Sequence, residues 1–166
     1  MARRETPARG RAPGPNANCV ATWYHFPCMS RPRILIIEDE RALTKVLAYN
    51  LEREGYDVAV CGGPATLPGG RCPLVEGFGC PLADHADVII HALGTGEDAS
   101  GDPGGAVLAA HGRGHPWTPT IVVRSLDQQH GRPPLSVHEV VSGPLTHERV
   151  IVAVSSILSR PRHCSP

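Results

Sequence analysis

Lysine is almost absent: among 166 residues only Lys45 is present. Aromatic residues are scarce as well, seven in all, and three of them crowd into Trp23-Tyr24-His25-Phe26. No apolar run approaches the roughly 18–20 residues that cross a bilayer, so a membrane-spanning helix is excluded. The arginines near the N-terminus have no continuous apolar segment behind them, which argues against a secretory signal. No stripe of Lys or Arg runs along any segment, so direct nucleic-acid binding is a poor fit. Gly94-Thr-Gly96 looks like part of a phosphate loop, but neither Gly-Lys-Ser/Thr nor a full Gly-x-Gly-x-x-Gly follows, and nucleotide binding is unsupported.

What is present suits one globular domain. Apolar residues make up 41 % and charged residues 19 %, and the length allows one ordinary core. Glycine (18) and proline (17) are both abundant, which predicts long loops or a disordered arm. The formal charge of zero is unevenly spread, because residues 1–28 hold four Arg against one Glu. A cytoplasmic location follows by default, and there the six cysteines are expected to be mostly reduced thiols and not a disulfide framework.

Residues 1–30 read as a disordered arm, with no period of either kind. The aromatic group at 23–26 is either a docking motif or upstream of the true start at Met29, and the second reading is favoured. Residues 31–160 form the domain, and 161–166 a disordered tail. The unbroken apolar run at 34–37 reads as a parallel strand buried on both faces. Leu43, Val46, Leu47, Asn50, Leu51 and Glu54 then recur at helical spacing, and Gly55 stands where a helix-ending glycine belongs. Further strands are predicted at 57–61, 87–93, 119–123 and 137–141. Between 62 and 84 any helix must be short or irregular, and 105–111 offers a weak one. The last helix is clearer, with Thr146 as its cap and a stripe of Val150, Val154, Ile157 and Leu158. This alternation implies an α/β fold, a doubly wound five-stranded parallel sheet in three αβα layers, with functional groups at the carboxyl ends of the strands.

The segment Arg33-Ile-Leu-Ile-Ile-Glu-Asp-Glu, the helix after it and Glu-Gly-Tyr-Asp-Val at 54–58 closely resemble the response-regulator receiver domain of bacterial two-component systems. The match returns at 118–123 and at Ser142-Gly-Pro-Leu-Thr-His-Glu-Arg-Val, so it spans about residues 33 to 159. The resemblance implies a flavodoxin-like receiver fold and a definite chemistry. An aspartate ending the third strand attacks a phosphoryl group, and two acids after the first strand hold magnesium. A hydroxyl after the fourth strand and a lysine after the fifth complete the site.

Here the acidic pair is present as Glu38 and Asp39, but alignment puts Ala92 at the phosphoacceptor position. Arg124 falls at the hydroxyl position and Gly143, before Pro144, at the lysine position. Lys45 lies on the first helix and cannot substitute. Asp87 begins the same strand, about 16 Å away at ~3.3 Å per residue, and is too far. A one-residue slip would bring His91 forward, but on the opposite face. Asp98, in the glycine-rich turn, stays open as an alternative acid. The resemblance therefore implies a degenerate pseudo-receiver with no catalytic residue and no cofactor, magnesium being doubtful. Arg124 either pairs with Glu38 and Asp39 in place of metal and lysine, or points into solvent.

Cys61, Cys72 and Cys80 fall in one loop-rich stretch, with His85 and His91 after them. The repeated Cys-Pro-Leu makes a Cys72–Cys80 disulfide or a metal clip one reading, although no Cys-x-x-Cys pair exists. Small apolar packing groups are the other. Cys19, Cys28 and Cys164 lie in the predicted tails, and His111, His115, His130, His138 and His147 read as surface or capping residues. The function expected is phosphorelay signalling by protein–protein contact, with partners in signalling or transcription and a homodimer as a further arrangement. A cysteine-based redox or metal sensor on the same fold is the alternative. Nothing is left after the last helix for an output domain, so a stand-alone module is expected. By analogy, residues 137–158 are the expected contact face.

Overall fold

The computed structural model describes residues 31–94, 102–124, 137–144 and 146–160. The arm, the tail, Asp98 and His130 lie outside the described residues. Five parallel strands form one sheet in the order β2-β1-β3-β4-β5. They are β1 (Arg33–Ile37), β2 (Asp57–Cys61), β3 (Val88–His91), β4 (Thr120–Arg124) and β5 (Glu139–Ser142). The α-helices among the described residues are α1 (Arg41–Arg53), α2 (Pro81–Asp84), α3 (Pro103–Gly114) and α4 (His147–Ser159).

Alternation along the strands divides the core into two layers. Ile34 and Ile36 of β1, Val88 and Ile90 of β3, Ile121 and Val123 of β4 and Val141 of β5 pack beneath α1 and α4. Leu47 and Leu51 enter that layer from α1, and Val150, Ala153, Val154 and Ile157 enter it from α4. On the other side Leu35, Ile37, Ile89 and Leu93 meet Ala83 of α2 and Val107 of α3. The expected αβα layering is therefore observed.

Helix α1 ends as its sequence predicts. Gly55 follows it at φ +93 and its N–H returns to the Glu52 carbonyl at 3.0 Å. Of the residues at helical spacing, Leu47 and Leu51 are buried, while Val46 is half-exposed and Glu54 is exposed. Thr44 takes an inward place, its hydroxyl bonded to the Glu40 carbonyl at 2.9 Å. Thr146 stands at the start of α4 but makes no side-chain capping bond.

The stretch from 62 to 84 is irregular. It holds two 3-10 turns, Pro64–Thr66 and Pro68–Gly70, and only the four residues of α2. Helix α3 is longer than its weak sequence signal implies, because Asp102 caps it. The carboxylate accepts from Gly104 N at 3.0 Å and Gly105 N at 3.1 Å, and Pro103 occupies the first turn.

Candidate functional site

The carboxyl ends of the central strands lie side by side. Ile37 pairs with His91, and the Ala92 N–H donates to the Ile37 carbonyl at 2.9 Å. The residue after β3 thus sits against the end of β1, where Glu38 and Asp39 follow. Arg124 ends β4 in register with Ser142, and Gly143 and Pro144 come next. The fold gathers these positions at one end of the sheet, as expected for a site at the strand carboxyl ends.

Their chemistry differs from one to the next. Ala92 offers a methyl group, half-buried against the α1/α4 layer, and has no oxygen to phosphorylate or to ligate a metal. Glu38 is buried, and its Oε1 accepts the Glu40 N–H at 2.8 Å. Its backbone N–H donates to the Cys61 carbonyl at 3.0 Å, and its carbonyl accepts from the Thr44 hydroxyl at 3.4 Å. This side chain thereby organises the turn into α1. Burial pushes the Glu38 carboxyl above its ordinary value, the Glu40 N–H opposes that, and Asp39 pushes it further up.

Arg124 is itself buried, at 7 % exposure, so the solvent-facing alternative does not describe it. Gly143 has φ +97, a conformation that L side chains rarely adopt. A lysine there would be strained whatever space surrounded it. Asp39 is exposed. Among the described residues no three His, Cys, Asp or Glu side chains are grouped so as to hold a metal ion. With one acid engaged by backbone and a methyl in place of a third oxygen, these residues do not fit magnesium.

Cys61, Cys72 and Cys80 are free, half-buried thiols that pack against the same apolar cluster beneath α2 and α3. Burial pushes the Cys61 thiol up, and the neighbouring Cys80 and Cys72 push it the same way. The three are therefore close together, and burial favours the neutral thiol at Cys61. Their surroundings are those of packing groups.

Two histidines carry more than their scattered positions indicate. His91 is fully buried, and His111, expected on the surface, is 3 % exposed on the inward side of α3. A lone His in an apolar strand and another in an alanine-rich helix gave no spacing by which to connect them. His138 Nδ1 accepts the Thr120 N–H at the start of β4, at 3.2 Å.

A scan against protein-family models finds no match, and a search of curated proteins finds none either. Solved structures do match. The receiver domain of Francisella response regulator 1452 superposes with a TM-score of 0.56 at 16 % identity, covering 76 % of this chain and 96 % of that one. The response regulator TrrA, in complex with histidine kinase ThkA, gives 0.54 at 20 % identity over 77 % and 99 %. The receiver domain of the hybrid histidine kinase CckA gives 0.52 at 23 % over 76 % and 99 %. At these identities the likeness establishes the fold, a flavodoxin-like receiver architecture, and nothing finer.

Proposed function

We propose that this chain is a receiver-like module of two-component signalling that acts through protein–protein contact and carries no phosphoryl group. The observation behind this is the Ala92 methyl, set beside the end of β1 and its acids, where the resemblance calls for a nucleophilic carboxylate. Gly143, at the lysine position with φ +97, and Glu38, engaged by backbone, support the same reading. An acyl phosphate needs a carboxylate to form on, and positive charge to neutralise it.

The partner is a protein of the signalling or transcription machinery, the kind of contact that the complex of TrrA with a histidine kinase illustrates for that protein. The contact face is the surface of β5 and α4, where Val152 is left 67 % exposed. No direct nucleic-acid contact and no membrane contact form part of this reading. No helix among the described residues is long and apolar enough to cross a membrane.

Incubating the full chain with acetyl phosphate and magnesium, followed by intact mass measurement, tests the proposal. The expected result is an unchanged mass. An adduct of about 80 Da, one phosphoryl group, on any acid overturns it. A complementary variant, Ala92→Asp, restores an oxygen donor beside Glu38 and Asp39. It should bind magnesium at least about tenfold more tightly than the parent by calorimetry. Equal affinity would show that Ala92 does not stand at the position assigned to it.

A further inference from the structure

His91 and His111 are buried polar groups on the side of the sheet that α3 covers. His91 is 0 % exposed, and neither ring nitrogen makes a well-formed hydrogen bond among the described residues. The Gly104 backbone lies near enough to favour its protonated form slightly. His111 Nδ1 is likewise buried without a partner among the described residues. Leaving such nitrogens unsatisfied costs on the order of 1–3 kcal/mol each, so the arrangement is expensive even with both rings neutral.

A line of groups connects this interior to the surface. The His111 ring lies 5.8 Å from that of His115, centroid to centroid, and His115 Nε2 lies 3.7 Å from Asp84 Oδ1 on α2. Asp84 is exposed. On the strands beside His91 the register partners are Ile37 and Val122, both apolar. From α3 it meets the charges of His111 and Asp102. The thiols of Cys61, Cys72 and Cys80 border the same layer. Arg124, two residues beyond Val122, lies on the same side of the sheet by strand alternation and supplies a further cation. Among the described residues Asp102 is the acid that acts on His91, and its carboxylate already caps α3 through Gly104 and Gly105.

We infer that the His91–His111 pair is a proton-binding latch, closed while both imidazoles are neutral and released when either takes up a proton, so that α3 lifts from the sheet. Among the described residues, a charge at His91 is favoured by the Asp102 carboxylate and, beside it, by the Gly104 backbone. Drawing that carboxylate inward strips the cap from the first turn of α3. The helix is poorly equipped to resist, since its twelve residues include Gly104, Gly105, Gly112 and Gly114. Burial is the main reason that both imidazoles titrate low, at about 4 against an ordinary 6.5. Where the rings regain ordinary values on release, acidification to pH 5 raises the released-to-closed ratio on the order of 30-fold per imidazole.

Hydrogen exchange on the full chain, read by mass spectrometry at pH 7.5 and pH 5.0 and expressed as protection factors, tests the latch. Protection of the α3 amides should fall by at least about tenfold at pH 5.0, while protection of α4 holds. In His111→Leu, and separately in His91→Leu, the fall should shrink toward unity. If α3 and α4 lose protection together, or if both leucine variants respond to acid like the parent, the inference is overturned. Should the variants fail to fold, proton NMR titration of the parent imidazoles decides. Midpoints near 4 for two rings are expected, and ordinary midpoints for all the histidines would overturn the latch.

Discussion

Glu38 shows how one buried acidic side chain can serve the backbone around it. Its carboxylate oxygen holds the Glu40 N–H, its backbone ties β1 to Cys61, and burial disfavours its charge. Charge is therefore not what the fold requires of it. Glu38→Gln retains the accepting oxygen and removes the desolvation cost, so it should leave the melting temperature unchanged or raise it by a few degrees. A calorimetric scan at pH 7 reads this, and a large drop would mean that the negative charge itself is needed. The acidic pair was legible from Glu38 and Asp39 following an apolar run, and so was the methyl at Ala92. Burial of Arg124 and His111 was not legible. Each takes its environment from segments distant in the chain, and local pattern carries no information about them.

At the scale of elements, strands were the easiest to read. Runs such as 34–37 and 119–123 are apolar because both faces of a parallel sheet are covered, and that leaves an unbroken signature. Helix α3 was harder, because its glycines hide a helix whose start is set by Asp102 and Pro103. Asp102→Ala removes two accepted hydrogen bonds and should cost about 1 kcal/mol by urea titration. Gly104→Ala should cost more, roughly 3 kcal/mol or beyond, because its methyl would stand 2.2 Å from the Gly94 carbonyl oxygen. If the two variants proved equally mild, α3 would not seat against the end of β3 as described. The stretch from 62 to 84 resisted reading for a different reason. Its glycines at φ +71, +76, +67, +88 and +79 spell turns and not periodicity.

The molecule as a whole has a pH dependence with a definite sign. His91 and His111 bind protons less readily folded than unfolded. Their contribution is complete above pH 6.5 and is lost as pH falls toward 4. By pH 5 the loss amounts to about 2 kcal/mol per imidazole. Glu38 works in the opposite direction, since its raised value makes the folded state the better proton binder just above 4.5, and it offsets part of the loss. Urea unfolding at pH 7.5 and pH 5.0 should therefore show lower stability at pH 5.0, and an equal or higher value there would contradict the burial of the two rings.

The two covers of the sheet are unequal in make. One is a pair of thirteen-residue helices, α1 and α4, and the other a glycine-rich helix beside turns and a single helical turn. A protease meets these as hard and soft flanks. Arg71, with its side chain 77 % exposed in the loop before α2, and Arg113 near the end of α3 should be clipped by trypsin well before Arg53 of α1 or Arg149 of α4. The sequence of cuts would then trace, on a gel, which half of this domain gives way first.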